Sequence, residues 1–418
     1  MTVADLPQAR EYSQYDVSTR RFWAKSFVER DETFARMRGA GGLTWHPPLP
    51  SLFESNEPGF WAVTRRVDIA HVSTHPELFS SGQGVALDPM PVEIQRIATF
   101  FLAMDPPQHT VYRRLISSAF TPKNVKRIED QIHANAVAVV DDLVGAGDVD
   151  FVAACSTRLP MMTISDMLGV APSDREAVAD AAEKLFSGSD DEYATLEERA
   201  THTINEMIFL NNCGIELAKH RRAHPTDDLM TAMVNAEVDG YRLTDEEMGA
   251  FMVLLASAGN DTTKQATTHA MVALAAHPKQ RDWLMADFDN RIGTAVEEFV
   301  RYASPVMQFA RFVTADTELA GQHLKAGDKV GLFYCSANRD EAVFDDPHGF
   351  DLSRSPNPHM GFGGGGPHFC LGSQVAKVEL RNLFRELLTR LRRIEFGEPD
   401  YLLSNFVHGV KRVPAFIE

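Results

Sequence analysis

Cysteine is scarce in this chain and is never paired: Cys155, Cys213, Cys335 and Cys370 are its four thiols, each far from the others in sequence. That spacing offers no disulfide framework and no zinc-type pair, which fits a reducing compartment. A long uncharged apolar run is missing, as is a basic lead followed by a short apolar stretch. The expectation is a cytoplasmic protein with no transmembrane anchor and no secretory signal. Basic residues are outnumbered, 41 against 58, leaving a formal charge of −17. Binding a phosphate backbone needs a basic face, so the balance argues against a nucleic-acid partner. No Pro/Gly/Ser linker, composition break or internal repeat divides the 418 residues, and we read one domain over 1–418.

What the chain does have is apolar bulk, 44% of its residues, arranged mostly with helical periodicity. Strand patterns are confined to Phe60–Val67, Glu318–Gly321 with Gln322–Leu324, and Lys329–Tyr334. The expected fold class is mainly α with small β-sheets. Thr244 and Glu247 form a capping box, apolar residues recur from Met248 through Phe251, Met252 and Leu255, and His277-Pro278 stops the run. That makes a helix of roughly 33 residues, about 50 Å long, enough to cross a whole domain as a central pillar. Two stretches read as lids over a binding site. One is the loosened segment from Ser80 to Met104, which ends in Ile94, Ile97, Phe100 and Phe101; the other runs from about Phe186 to Leu210.

The most specific feature is the glycine-rich run Gly361-Phe-Gly-Gly-Gly-Gly-Pro-His-Phe-Cys370-Leu-Gly372, which ends on a thiol at a helix start. Glycines let backbone approach a flat ligand closely. A buried thiolate survives only where a metal and backbone N–H groups stabilise its charge. Gly361, Gly363 and Gly366 also spell Gly-x-Gly-x-x-Gly, but that dinucleotide fingerprint requires a preceding hydrophobic strand. Here the loop follows Asp351-Leu-Ser-Arg-Ser-Pro-Asn-Pro-His359, a proline-broken polar stretch, so we reject it. The plain alternative for Cys370 is a small buried thiol with no further role.

Phe362, Gly365, His368, Cys370 and Gly372 match the signature Phe-x-x-Gly-x-x-x-Cys-x-Gly with one extra residue between its first glycine and the cysteine, and by it the chain resembles the cytochrome P-450 monooxygenases. The resemblance extends from Trp61 to the segment Ser404–Pro414. It implies a cytochrome P-450 fold, with haem b between the long central helix and the Cys370 loop, and Cys370 as the axial thiolate on iron.

Mid-helix, Ala258-Gly259-Asn260-Asp261-Thr262-Thr263 places a carboxylate and two β-branched alcohols where helix propensity disfavours them. We expect Gly259 to let a flat ligand or O₂ lie against the backbone, and Thr262 to bend the helix locally. The resemblance makes Asp261 and Thr262 a proton relay to O₂, beside Ala258 and Gly259. His109 and Arg113 share a helical face; with Arg311 and His368 the resemblance assigns them to the haem propionates. Glu298, Arg301 and Arg354 are expected as a buried ion network beneath the haem. Arg114, Lys123, Lys126, Arg127, Lys377 and Arg381 are read as a basic patch for an acidic ferredoxin. That donor would carry electrons from NAD(P)H through a ferredoxin reductase, since the chain has no reductase domain of its own.

The implied reaction inserts one oxygen atom of O₂ into a substrate. Pocket walls are expected from Met252, Val253, Leu255 and Ala258, Val306 to Phe309, the two lids and Phe406-Val407, nearly all apolar. The stretches Ser404–Gly409 and Asn357–Phe362 look like those of bacterial enzymes that hydroxylate methyl-branched lipids and sterol side chains. A tailoring oxidase of a terpenoid or polyketide, and a non-catalytic haem-thiolate sensor, are the rival readings; the acid and alcohol pair speaks against the sensor.

Overall fold

The computed structural model describes residues 10–51, 53, 55–117, 122–187 and 196–418. Its pillar is the helix Asp245–Ala276, 32 residues long. Both halves of its capping box are present: Thr244 accepts from the Glu247 amide, and Glu247 accepts from the Thr244 amide at 2.9 Å. Buried residues surround the axis instead of lining one stripe, as they must where neighbours cover every side. Helices Arg158–Leu168, Arg175–Ser187, Leu196–Ala223 and Phe288–Ala303 all pack on it. Leu196–Ala223 crosses where Gly214 meets Gly249, and any Cβ at Gly214 would press on the Gly249 Cα at 2.9 Å.

A five-stranded sheet stands to one side, in the spatial order Leu43–His46, Phe60–Val63, Lys329–Phe333, Gln308–Val313 and Phe79–Ser80. Phe60–Val63 runs parallel to Lys329–Phe333 with Phe60 opposite Lys329. The sequence reading carried the first strand on to Val67; in fact it stops at Val63, and Arg66–Thr74 is helical. Thr64 ends the ladder by giving both its amide and its hydroxyl to the Gly42 carbonyl. Thr317–Leu319 and Gln322–Leu324 form the expected hairpin.

The first lid is more ordered than a loop. Val92–Thr99 is an α-helix followed by a 3₁₀ turn, Phe100–Ala103, with Phe100 and Phe101 buried. Gln95 fixes it, accepting from the Ala86 amide at 3.2 Å and donating to the Met90 carbonyl at 3.1 Å. For the second lid, residues 188–195 and the Phe186 and Ser187 side chains lie outside the described residues. Beyond them, Met207 and Leu210 join the main hydrophobic core. Among the described residues no helix is long and apolar enough to cross a membrane, and all four cysteines are free thiols.

The ion network forms as expected. Arg301 and Glu298, both 0% exposed, bond twice, at 2.6 and 2.7 Å, and the Arg354 Nε lies 3.3 Å from the same carboxylate. Arg301 also donates to the carbonyls of Asn338, Pro347 and Gly349. These contacts tie Phe288–Ala303 to the segment that leads into the cysteine loop.

Candidate active site

A cavity of about 240 Å³ lies between the central helix and the loop 361–372. Helical phase decides which residues face it: Phe251, Leu254, Leu255, Ala258, Gly259, Thr262, Thr263 and Ala266 line one wall, repeating every three to four residues. Met252 and Val253, expected in that wall, point into packed core instead. Val306 and Phe309 line the cavity, whereas Met307, just before the strand Gln308–Val313, packs into a separate core cluster. Phe406 and Val407 stand behind the lining, with the Phe406 ring 5.2 Å from Phe309 and Val407 bridged to Val306. The first lid contributes Val85, Phe101 and Leu102, whereas no described residue of Leu196–Ala223 lines the cavity. Ile164, Met167, Tyr334 and Glu379 also face it; the sequence reading singled out none of them.

The loop owes its shape to glycine. Gly363, Gly365 and Gly366 have φ of 101°, 94° and 69°, where a Cβ is strained. A Cβ on Gly366 would strike the Ser73 carbonyl, and one on Gly364 the Ser73 hydroxyl. Their close approach is thus to the helix Arg66–Thr74. As expected, no strand precedes the loop.

Cys370 borders the cavity, which is why its surface is open although protein surrounds it. Burial pushes its thiol pKa up; the amides of Gly372 and Ser373 and the charges of Arg113 and Lys377 pull it down without cancelling that. Metal ligation supplies the remaining stabilisation that a thiolate there needs. Helix Ser373–Arg390 starts immediately beyond, so two of its unpaired N-terminal amides face the sulfur.

Cationic groups gather at another edge. Arg113 donates to the Phe369 carbonyl at 2.6 Å, and the buried Arg311 to the Ala310 carbonyl at 2.6 Å. Among the described residues, neither is within ion-pair distance of a carboxylate. The His109 and His368 rings lie 4.2 Å apart, with His109 Nε2 and His368 Nδ1 buried and unpartnered. His368 lines the cavity and His109 sits behind it. Burial first, then Arg113 and Arg311, hold the His109 pKa down at about 4. Two arginines and two histidines with unpartnered ring nitrogens, none ion-paired to a carboxylate among the described residues, fit the two propionates of haem.

The central helix is helical throughout the motif, and the Thr262 hydroxyl donates to the Ala258 carbonyl at 2.9 Å. Gly259 lines the cavity and also makes room for the Ile164 side chain, which a Cβ there would strike. Asp261 and Thr262 also part company. Thr262 lines the cavity, whereas Asp261 lies outside the lining, held by Lys264 at 2.6 Å with its Oδ2 buried and unpartnered. Lys264 is 4% exposed and reaches Glu183 at 3.4 Å.

Three of the six residues of the expected basic patch are paired with carboxylates. Arg114 faces Asp239 at 3.3 Å, Lys377 faces Glu297 at 2.5 Å and Arg381 faces Glu129 at 2.7 Å. Lys126 is exposed, and the side chains of Lys123 and Arg127 lie outside the described residues.

Comparison with known proteins agrees with this geometry. The family model for cytochrome P-450 matches residues 184–398. Methyl-branched lipid omega-hydroxylase of Mycobacterium tuberculosis is 39% identical over 399 residues, covering 94% of this chain and 92% of that one. Steroid C26-monooxygenase of Mycolicibacterium smegmatis is 35% identical over 386 residues, 91% of this chain and 88% of that one. The solved structure of a Mycobacterium marinum cytochrome P-450 in complex with pseudoionone superposes with a TM-score of 0.94 at 50% identity, covering 98% of this chain and 100% of that one. The cysteine loop, the cationic edge and these likenesses along nearly the whole length have one explanation: the chain belongs to the cytochrome P-450 family of haem-dependent monooxygenases.

Proposed function

We propose that this enzyme hydroxylates an unactivated C–H bond on the branched end of a largely apolar molecule, a methyl-branched lipid or sterol side chain, with electrons from a ferredoxin in the cytoplasm. The observation that carries this reading is the cavity lining. Away from the cysteine loop its walls are mostly apolar, with Val85, Phe101, Leu102, Ile164, Met167, Phe251, Leu254, Leu255, Val306 and Phe309; the charged lining residues are Arg113 and Arg311, assigned to the propionates, and Glu379 on the helix after Cys370. Such walls reward apolar surface and leave a charged substrate unpaired. The named activities of the two mycobacterial relatives point the same way. Pseudoionone in the Mycobacterium marinum structure favours a second reading, in which the branched chain is a terpenoid.

The balance is one substrate C–H, one O₂, two electrons and two protons, giving one alcohol and one water. Haem held by Cys370 would supply the oxygen activation. Arg113, Arg311 and His368 would hold its propionates, with His109 behind His368. Thr262, which lines the cavity, would release its hydroxyl from the Ala258 carbonyl to orient the last proton donor, and Asp261 would deliver protons to it after leaving Lys264. The ferredoxin reading follows the resemblance to bacterial cytochromes of this family, and Lys126 is an exposed cation of the face expected to receive it.

A panel of branched fatty alcohols, sterols and terpenoids including pseudoionone, scored by the Soret shift on binding, tests the substrate class. Branched apolar chains should bind tightest. A response only to polar or charged compounds overturns the reading. Asp261→Asn and Thr262→Ala should keep haem and substrate binding but consume electrons without matching product; coupled turnover in both variants would defeat the relay.

A further inference from the structure

We propose that Glu379 takes up a proton when the haem iron is reduced, so that electron entry and protonation of a buried carboxylate are one linked event. The inference rests on the haem-thiolate reading and adds a group that the reading does not use. Glu379 is 3% exposed, lies on the helix Ser373–Arg390 that begins just after Cys370, and lines the same cavity. Its Oε1 is buried without a hydrogen-bond partner, and no cation among the described residues comes within ion-pair distance.

The groups around it explain why it stays uncompensated. Its helix packs on four others. From Arg158–Leu168 comes Thr163, whose one hydroxyl proton goes to the Leu159 carbonyl at 3.0 Å; from the central helix comes the Thr263 hydroxyl. The charged side chains on those elements are engaged elsewhere. Asp166 holds Arg175, Asp261 holds Lys264 and Glu129 of Pro122–Asp141 holds Arg381. Glu297 and Glu298 of Phe288–Ala303 hold Lys377 and Arg301. Burial therefore dominates and lifts the Glu379 pKa to about 7, with the two threonine hydroxyls pulling weakly against it.

Reduction by a one-electron donor of the ferredoxin class adds one negative charge to the metal centre. In a water-poor interior that charge disfavours a nearby carboxylate and raises its proton affinity. The balance is one electron to iron and one proton from water to Glu379, with no bond made between them. Linkage is reciprocal, so the protonated carboxylate makes reduction easier by the same free energy. The reduction potential therefore falls as pH rises through neutrality, with a limiting slope of about 59 mV per pH unit for one proton per electron.

Spectroelectrochemical titration of the holoenzyme across neutrality tests this. Wild type should show the slope, Glu379→Gln should be flat over the same window, and Thr263→Val should move the window to higher pH by removing a hydroxyl from the carboxylate. A flat wild type, or a slope unchanged in Glu379→Gln, overturns the proposal. If Glu379→Gln fails to retain haem, indicator-dye measurement of proton uptake on reduction decides between wild type and Thr263→Val. Uptake whose pH window stays fixed overturns the proposal, and a shifted window supports it. The red-shifted band of the reduced, carbon monoxide-bound protein checks the haem-thiolate reading separately, and a wild type lacking it would sink both.

Discussion

At the scale of single residues, the cysteine loop shows how much depends on atoms that are missing. Gly366 combines a φ of 69° with a Cβ position already occupied by the Ser73 carbonyl. Gly366→Ala should therefore cost at least the roughly 1–2 kcal/mol of left-handed strain, plus a backbone displacement beside Cys370. A lower thermal midpoint and reduced haem content in the purified protein are the expected result; an unchanged midpoint would mean that the loop relaxes freely. Cys370→Ser should abolish the red-shifted carbon monoxide band while leaving the helical content near wild type, because the buried helices do not depend on the sulfur. Far-ultraviolet dichroism beside the difference spectrum separates the two effects.

Among elements, the segment before the cysteine loop hangs on Glu298. That carboxylate takes two bonds from Arg301, one from the Asp351 amide at 3.0 Å and one from the Asn357 amide group at 3.0 Å. Glu298→Ala would leave Arg301 as an unpaired buried charge, a loss of roughly 3–5 kcal/mol. Urea denaturation of the holoenzyme should show an earlier midpoint of that order, and Arg301→Lys should not rescue the bidentate geometry. Much of this level was legible in the sequence. The capping box and the His277-Pro278 stop placed the ends of the central helix to within a residue, because both are local hydrogen-bond chemistry. The strand over 60–67 was overrun and the helix 92–99 was read as loop. Thr64 bonding Gly42 and Gln95 bonding Met90 settle those boundaries, and neither periodicity nor composition displays such partners.

For the whole molecule, the uncompensated Glu379 sets a pH dependence of stability. Native Glu379 keeps its proton to about pH 7, against 4.5 for the ordinary carboxyl. The native state binds the extra proton between those values, so stability falls as pH rises through that window. The full span is worth about 3 kcal/mol at 1.36 kcal/mol per unit. Glu379→Gln should therefore be more stable than wild type above neutrality and nearly equal to it at acid pH. Thermal midpoints at the two ends of the range check this; a difference that grows on acidification would contradict it.

Taken alone, the sequence determined the haem-thiolate chemistry, the mainly helical class and the central pillar. Each of these is written in residues close together along the chain: an eleven-residue signature, a capping box, a periodic run. Only the tertiary structure decided which residues meet across long separations. It turned Asp261 toward Lys264 and away from the cavity, paired three of the six residues of the supposed basic patch with carboxylates, set Ile164 beside Gly259, and set Glu379 against the cavity with no countercharge among the described residues. The physical reason is that burial and electrostatic partnership depend on three-dimensional neighbours, and those are fixed by packing among helices far apart in the chain.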